Sequence, residues 1–290
     1  MIKYTKKALL FLLIGVLMTL LLLRSSTAAA AVRQGLTLCA QNLLPALFPF
    51  FVAVSWAVNC GLFHTLRSIG IPTSAAVFFL GALGGYPLGA RTVGEAYRGG
   101  LLTASEAERL LSCCNNAGPA FILVVVGENL FHSTAAGLAL WGIHLTAALI
   151  VSLLFTRRQI TYAPSPPPTS PPATAFISAV GNAAETMLRL SAFVVFFTVV
   201  MALLASLLGT IPPLLAGFLE LTVGVTTLTP HRTGFTLAAG MLGWGGISVH
   251  CQTAAVLSDT ELSLRYYLLG KGLQGFLSAG VAWWIYPLLQ

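Results

Sequence analysis

Charged side chains are scarce in this chain: Asp, Glu, Lys and Arg together make up 8% of 290 residues, where a soluble domain carries roughly 25%. The chain is instead 57% hydrophobic, with a mean hydropathy of +0.87. Several apolar runs approach or exceed what a hydrocarbon layer of about 30 Å requires. The strict alternation of barrel strands is missing, which excludes an outer-membrane barrel. A polytopic α-helical membrane protein remains. Its eight acidic residues and five histidines leave few catalytic sets. There are no paired carboxylates, no Ser-His-Asp arrangement, no Gly-rich phosphate loop followed by Lys and no HExxH. No enzyme and no cofactor are expected. The five cysteines (Cys39, Cys60, Cys113, Cys114, Cys251) show no CxxC or Cys/His spacing for a metal, so free thiols are expected. A basic stripe interleaved with aromatics is also missing. The net charge of +7 therefore points to Lys/Arg-rich cytoplasmic loops rather than to nucleic acid.

Along the chain, Lys3, Lys6 and Lys7 precede the apolar run Ala8 to Leu23, and small residues follow from Ser26 to Ala31. A signal peptide fits this pattern, but a retained first helix (residues 1–34), with its amino terminus inside, is the preferred reading. A second helix is expected from Gly35 to Cys60, with His64 and Arg67 in a loop after it. The segment Ile71 to Gly100 is apolar up to Gly84-Gly85-Tyr86-Pro87 and then charged, each arm being too short to span alone. A re-entrant hairpin places Arg67, Arg91, Arg98, Arg109, Arg157 and Arg158 on one side, and the positive-inside bias favours it over a broken span. Thr103 to Gly127 reads as a broken span and Thr134 to Phe155 as its return. Residues 157–174, rich in proline, form an extended cytoplasmic linker.

The second half (175–290) replays the first (35–156). A helix from Ala175 to Leu208 is followed by a short pair, Ile211 to Thr229, interrupted near Glu220. A span from Thr233 to Leu257 is broken at Gly243-Trp244-Gly245-Gly246, and a last helix runs from Leu262 to Tyr286. Three crossings per half make this an inverted-topology repeat with re-entrant hairpins and broken transmembrane helices, an all-α membrane fold whose binding sites form where discontinuous helices meet.

The four breaks hold the candidate binding residues. Gly85, Tyr86 and Pro87 lie at the first, where Gly81, Gly85 and Gly89 also fit a helix-packing face; packing and binding are both open there. At the second, Asn115, Asn116 and Gly118 precede Pro119, which has no N–H and breaks the helix. Their amides fill freed backbone positions or face a polar ligand. Glu220 and Thr222 mark the third, since a carboxylate in a span faces a cavity or a partner. Gly245, Gly246, Ser248, His250 and Gln252 mark the fourth, with the last three alternating along an extended arm. His250 is a proton or ligand contact, or else a histidine bonded to a carbonyl. Lys271 snorkels or pairs with Glu220, and His144 packs with one hydrogen bond. Thr103 and Glu106 form a capping box, while Asp259, Glu261 and Arg265 form a solvated loop.

The runs Gly84-Gly85-Tyr86-Pro87-Leu88-Gly89-Ala90, Gly100-Leu101-Leu102-Thr103, Cys114-Asn115-Asn116-Ala117-Gly118-Pro119, Gly245-Gly246-Ile247-Ser248-Val249-His250 and Tyr267-Leu268-Leu269-Gly270-Lys271 resemble those of YlbJ-type sporulation integral membrane proteins. The resemblance covers most of the chain from about Gly35. It implies a nucleoside-recognition (Gate) domain, similar to parts of concentrative nucleoside transporters and of ferrous-iron transport proteins. It also implies a bacterial cytoplasmic membrane and a role in spore development. The expected function is a transporter or permease-like protein for a small polar, nucleoside-like solute. The alternative is a non-transporting scaffold or assembly factor of the spore envelope. Expected partners are the lipid bilayer and a small polar solute or coupling ion, with homo-oligomerisation left open.

Overall fold

A computed structural model describes residues 2–155 and 171–289, and every regular element among them is helical. Helix α1 (Ile2–Leu23) meets α2 (Ser25–Leu38) at a bend of 95°. The helix expected from Gly35 to Cys60 instead starts at Ser25 and runs through a π-helical turn, Cys39–Leu43, into α3 (Leu44–Asn59). The small residues around Ala28 and Ala31 explain the earlier start, because they let α2 lie close against Val199 and Leu203. His64 and Arg67, expected in a loop, lie on a short α4 (Leu62–Ser68).

Helices α5 (Thr73–Gly84) and α6 (Leu88–Arg98) form a hairpin. A Cβ built on Gly81 would lie 3.0 Å from the Gly89 Cα and 1.9 Å from the Cys114 carbonyl oxygen. Eight residues of straight helix would separate the two glycines by about 12 Å, so the chain folds back at Gly85-Tyr86-Pro87. The spacing of Gly81 and Gly89 marks packing across a turn, and Gly85 stands in the turn itself. Helix α7 (Ala104–Cys114) opens on the expected capping box: the Thr103 N–H donates to Glu106 and the Glu106 N–H to the Thr103 hydroxyl. It breaks at Asn115–Gly118, resumes through a π-helical stretch, Phe121–Leu130, and is followed by α8 (Thr134–Phe155).

The expected linker falls mostly on residues 156–170, outside the described residues. Helix α9 (Pro172–Leu208) starts three residues before Ala175, with proline in its first turn, where a missing N–H costs nothing. Helices α10 (Pro213–Leu219) and α11 (Leu221–Thr226) form a second hairpin about the extended residue Glu220, with a Cβ on Gly224 only 2.2 Å from the Gly217 Cα. Then come α12 (Arg232–Trp244), α13 (Gly246–Val256), α14 (Arg265–Ile285) and a terminal 3-10 turn, Tyr286–Leu289.

Side-chain contacts fix the direction of each element. At one end, here the arginine end, Arg98 pairs with Asp259, Glu108 accepts from the Ser263 N–H, and Arg109 donates to the Phe155 carbonyl. At the opposite, tryptophan end, Phe131 meets Phe235, Phe235 meets Tyr286, and Arg232 lies over Trp283. The broken helix of the first half therefore runs from the arginine end to the tryptophan end, and that of the second half runs back. The first hairpin opens at the arginine end through Arg98. The second opens at the tryptophan end, where Thr229 abuts Gly234 at the start of α12. The halves are inverted with respect to one another, as the sequence pattern implies.

By length and composition, α8 and α9 are each able to cross a membrane, and up to four crossings are counted if each bent pair is one span. Apolar side chains such as Phe11, Leu153, Leu188 and Phe276 are exposed and face lipid. Helix α9, with 37 residues, is about 55 Å long and outreaches the hydrocarbon layer. Asn182, Glu185 and Arg189 lie in about its third to fifth turns, where Asn182 meets Arg91 of α6 and Arg189 meets the Ala255 carbonyl near the end of the chain's second broken helix.

Close approach at Gly89 sets a test. A Cβ there would sit 2.1 Å from the Cys114 carbonyl oxygen, which is backbone and cannot swing aside. Gly89→Val is expected to lower stability by about 1–3 kcal/mol. Gly142→Ala, with nothing within 4 Å, should stay within about 0.5 kcal/mol. Thermal unfolding of the detergent-solubilised chain compares the two.

Candidate functional site at the four helix breaks

The four breaks meet inside the molecule. A Cβ on Gly85 would lie 3.1 Å from the Gly118 nitrogen, one on Gly245 would lie 3.2 Å from the Tyr86 hydroxyl, and one on Gly246 would lie 3.1 Å from the Leu221 nitrogen. Gly245 and Gly246 have φ of +89° and +86°, a region open to glycine and strained for other residues. Two such residues in succession complete the break, so α13 restarts at Gly246 without an extended arm. This corrects the expected alternation of Ser248, His250 and Gln252: all three lie on a helix, and the Gln252 amide donates to the Ser248 hydroxyl one turn back, at 3.3 Å.

Backbone and side chains freed by the breaks form a buried polar network. Lys271 Nζ donates to the Asn115 carbonyl at 2.7 Å and to Gln274 Oε1 at 2.6 Å. The Gln274 amide donates to Asn116 Oδ1 at 3.0 Å and to the His144 carbonyl at 3.1 Å. Asn116 Nδ2 in turn donates to the Cys113 carbonyl at 2.7 Å. His144 Nε2 accepts from the Ala117 N–H at 3.1 Å, so His144 serves the break rather than only packing. Asn115 spans both halves: its Oδ1 accepts from the Ala90 N–H at 3.3 Å and its Nδ2 donates to the Thr253 hydroxyl at 2.9 Å. The Tyr267 hydroxyl bonds Thr253 and His250 Nδ1, the latter at 2.9 Å. Asn115, Asn116, Thr253, Lys271 and Gln274 are each 0% exposed.

Tyr86 donates to the Leu242 carbonyl at 2.9 Å, bridging the first and fourth breaks, and its ring lies 5.1 Å from Lys271 Nζ. Pro87 precedes α6. Glu220 is buried and caps α11, accepting from the Val223 N–H at 2.7 Å; Thr222 supports the same carboxylate. Neither expectation for Lys271 holds. It does not snorkel, because α14 places it at the centre, and it does not reach Glu220, whose oxygen is held by the α11 backbone. His250 meets a tyrosine rather than a carbonyl, and its Nε2 has no hydrogen-bond partner beside the Trp244 ring at 4.3 Å. The vicinal cysteines are free and buried. Asp259 is not merely solvated: a hydrogen bond from Arg98 holds its carboxyl below the usual range.

Thr253, Tyr267 and Gln274 escape a motif-by-motif search. A signal was nevertheless present: Tyr267, Lys271, Gln274 and Ser278 fall at i, i+4, i+7 and i+11, one face of a helix, and all four are 0% exposed. A polar stripe on an apolar helix faces protein or water rather than lipid.

A cavity of about 840 Å³ opens at the arginine end, lined by Arg91, Glu95, Arg98, Asn182, Glu185 and Arg189 among others. Arg91 follows Ala90, whose N–H is bonded to Asn115, but Asn115, Asn116, Lys271 and Gln274 do not line the cavity.

The chain is 24% identical, over an alignment of 309 residues, to the sporulation integral membrane protein YlbJ of Bacillus subtilis (strain 168), covering 86% of this chain and 75% of that protein. No family model matches the chain, and no solved structure matches it.

In the buried network, Lys271→Met leaves the Asn115 carbonyl and Gln274 Oε1 without a donor. Each unpaired buried acceptor costs about 1–3 kcal/mol. The variant should unfold at a clearly lower temperature than wild type in detergent, and an unchanged midpoint would contradict the assignment.

Proposed function

We propose that this chain is a permease-like protein of the bacterial cytoplasmic membrane that passes a small polar, nucleoside-like solute and serves spore formation. The observation that carries the reading is a polar network buried where the broken helices of two inverted halves meet. Discontinuous helices from inverted repeats bring backbone dipoles and amides to one point, the usual design of a secondary-transporter site. Asn115, Asn116, Gln274 and Lys271 supply donors and acceptors for such a solute, and the hairpin tips at Gly85 and Glu220 flank it. The arginine end is assigned to the cytoplasm by the positive-inside rule, which places the basic amino-terminal residues on the same side. The printed name of the Bacillus subtilis relative supports the link to sporulation. No catalytic step is assigned.

A second reading rests on a specific observation: Tyr86 and both asparagines are already satisfied within the protein. In a scaffold of the spore envelope, the breaks would serve helix packing alone.

Uptake of labelled uridine by proteoliposomes separates the two. The permease reading expects saturable uptake by wild type and a loss of about tenfold or more for Asn116→Ala and Gln274→Ala at equal folded yield, since each deletes a hydrogen bond worth about 1–3 kcal/mol. An absence of uptake for every nucleoside and nucleobase, with a copurifying envelope protein, would favour the scaffold.

A further inference from the structure

The outward face of α14 carries a second pattern. Arg265, Leu269, Gly272 and Phe276 fall at i, i+4, i+7 and i+11, one helix face. They precede the buried stripe Tyr267, Lys271, Gln274 and Ser278 by two positions each and so lie on the opposite side of the helix. Arg265, Leu269 and Phe276 are exposed, and a Cβ on Gly272 would meet nothing within 4 Å. Gly272 is thus a notch between two large apolar side chains. Phe276 lies about 16 Å along the axis from Arg265, about half the thickness of the hydrocarbon layer. At the arginine end the strip is flanked by the close of α8, where Leu153 and Leu154 are exposed and the Phe155 ring meets Tyr266.

Two guanidiniums stand at the head of this strip without a carboxylate. The cavity arginines Arg91, Arg98 and Arg189 each hold one. Arg109 lies over the Tyr266 ring at 5.5 Å and donates to the Ser105 hydroxyl at 3.3 Å and the Phe155 carbonyl at 3.2 Å. These neutral partners fix the group and leave its charge uncompensated. The Arg265 side chain has no hydrogen bond or ion pair among the described residues. Neighbouring Glu106 and Glu108 accept the N–H groups of Thr103 and Ser263, and Glu261, exposed in the loop before α14, pairs with neither arginine.

Positive charge at the head of an apolar strip one leaflet deep is complementary to an anionic lipid. The positive-inside rule places this end in the cytoplasmic leaflet, whose anionic headgroups attract such residues. A second copy packed here about a twofold axis along the membrane normal would bring Arg265 to the depth of its own counterpart, like charge facing like charge.

We propose that this strip seats one anionic phospholipid, with its phosphate diester at Arg265 and Arg109 and an acyl chain along Leu269, Gly272 and Phe276. The site is separate from the central network and stands whether or not the chain moves a solute.

The test titrates the full chain in detergent with phosphatidylglycerol or phosphatidylcholine of the same acyl chains, read by native mass spectrometry and thermal shift. Saturable retention of one phosphatidylglycerol is expected, with phosphatidylcholine weaker by about tenfold or more. Arg109→Gln combined with Arg265→Gln should weaken phosphatidylglycerol by a similar factor. Because Arg109 also ties α7 to the Phe155 carbonyl, Gly272→Leu provides a second arm. Its side chain enters open space, so it should fill the notch and weaken lipid binding while leaving the lipid-free unfolding temperature unchanged. Arg33→Gln, at an exposed arginine of α2 outside both the strip and the network, should bind as wild type does. Equal binding of the two lipids, no saturable binding, or unchanged binding in both the double arginine variant and Gly272→Leu would overturn the proposal. So would glycerol 3-phosphate binding as tightly as the lipid, or a lipid-free dimer that Gly272→Leu disperses.

Discussion

A lysine side chain with no access to water bonds the carbonyl of Asn115, at the point where the first broken helix comes apart. Most of the interior follows from that contact. A backbone carbonyl released within a membrane protein needs a donor, and lipid has none to offer. Lys271 supplies it from the opposite half of the chain, and Gln274 satisfies both Lys271 and Asn116. The break is thus closed by side chains more than 150 positions away, and the two halves cannot separate without exposing all of these groups together.

Glycine makes the approach feasible. The hairpins fold back on the pairs Gly81 with Gly89 and Gly217 with Gly224, and their tips reach the neighbouring breaks. Inversion then places one hairpin at each end of the molecule, so that the tips converge while the open ends diverge. Polar backbone is enclosed at the centre, and apolar side chains such as Leu153 and Phe276 are turned outward. The cavity lies between α6, α9 and the segment after α13, with charged side chains such as Arg91, Glu95 and Arg189 on its wall.

Much of this architecture was legible in the sequence. Proline at 119, the vicinal asparagines and the glycine clusters at 84–85 and 245–246 mark the breaks because few other residues take those conformations or lack an N–H. The repeat of long helix, short pair, broken helix and helix could be read from the same punctuation. What escaped were properties of tertiary packing. Ser248, His250 and Gln252 looked extended because alternation is a strand signal, yet two positive-φ glycines absorb the whole turn. Glu220 stood out as a lone carboxylate, but in the fold it is spent on a helix cap. Lys271 resembled a snorkelling residue because nothing local shows that α14 runs through the centre; only the stripe with Tyr267, Gln274 and Ser278 carries that information. Of the cavity-lining ion pairs, Arg91–Glu95 and Glu185–Arg189 are i,i+4 pairs within α6 and α9, which helical spacing shows, whereas Arg98–Asp259 joins α6 to the segment after α13, which no local motif connects.

The central claim is that polar groups from opposite halves hold the breaks together as one unit. A double-mutant cycle on Asn116→Ala and Gln274→Ala, read by equilibrium unfolding of the full chain, measures this directly. The account predicts a coupling of about 0.5–3 kcal/mol between the two sites. Losses that add, with no coupling beyond error, would contradict it.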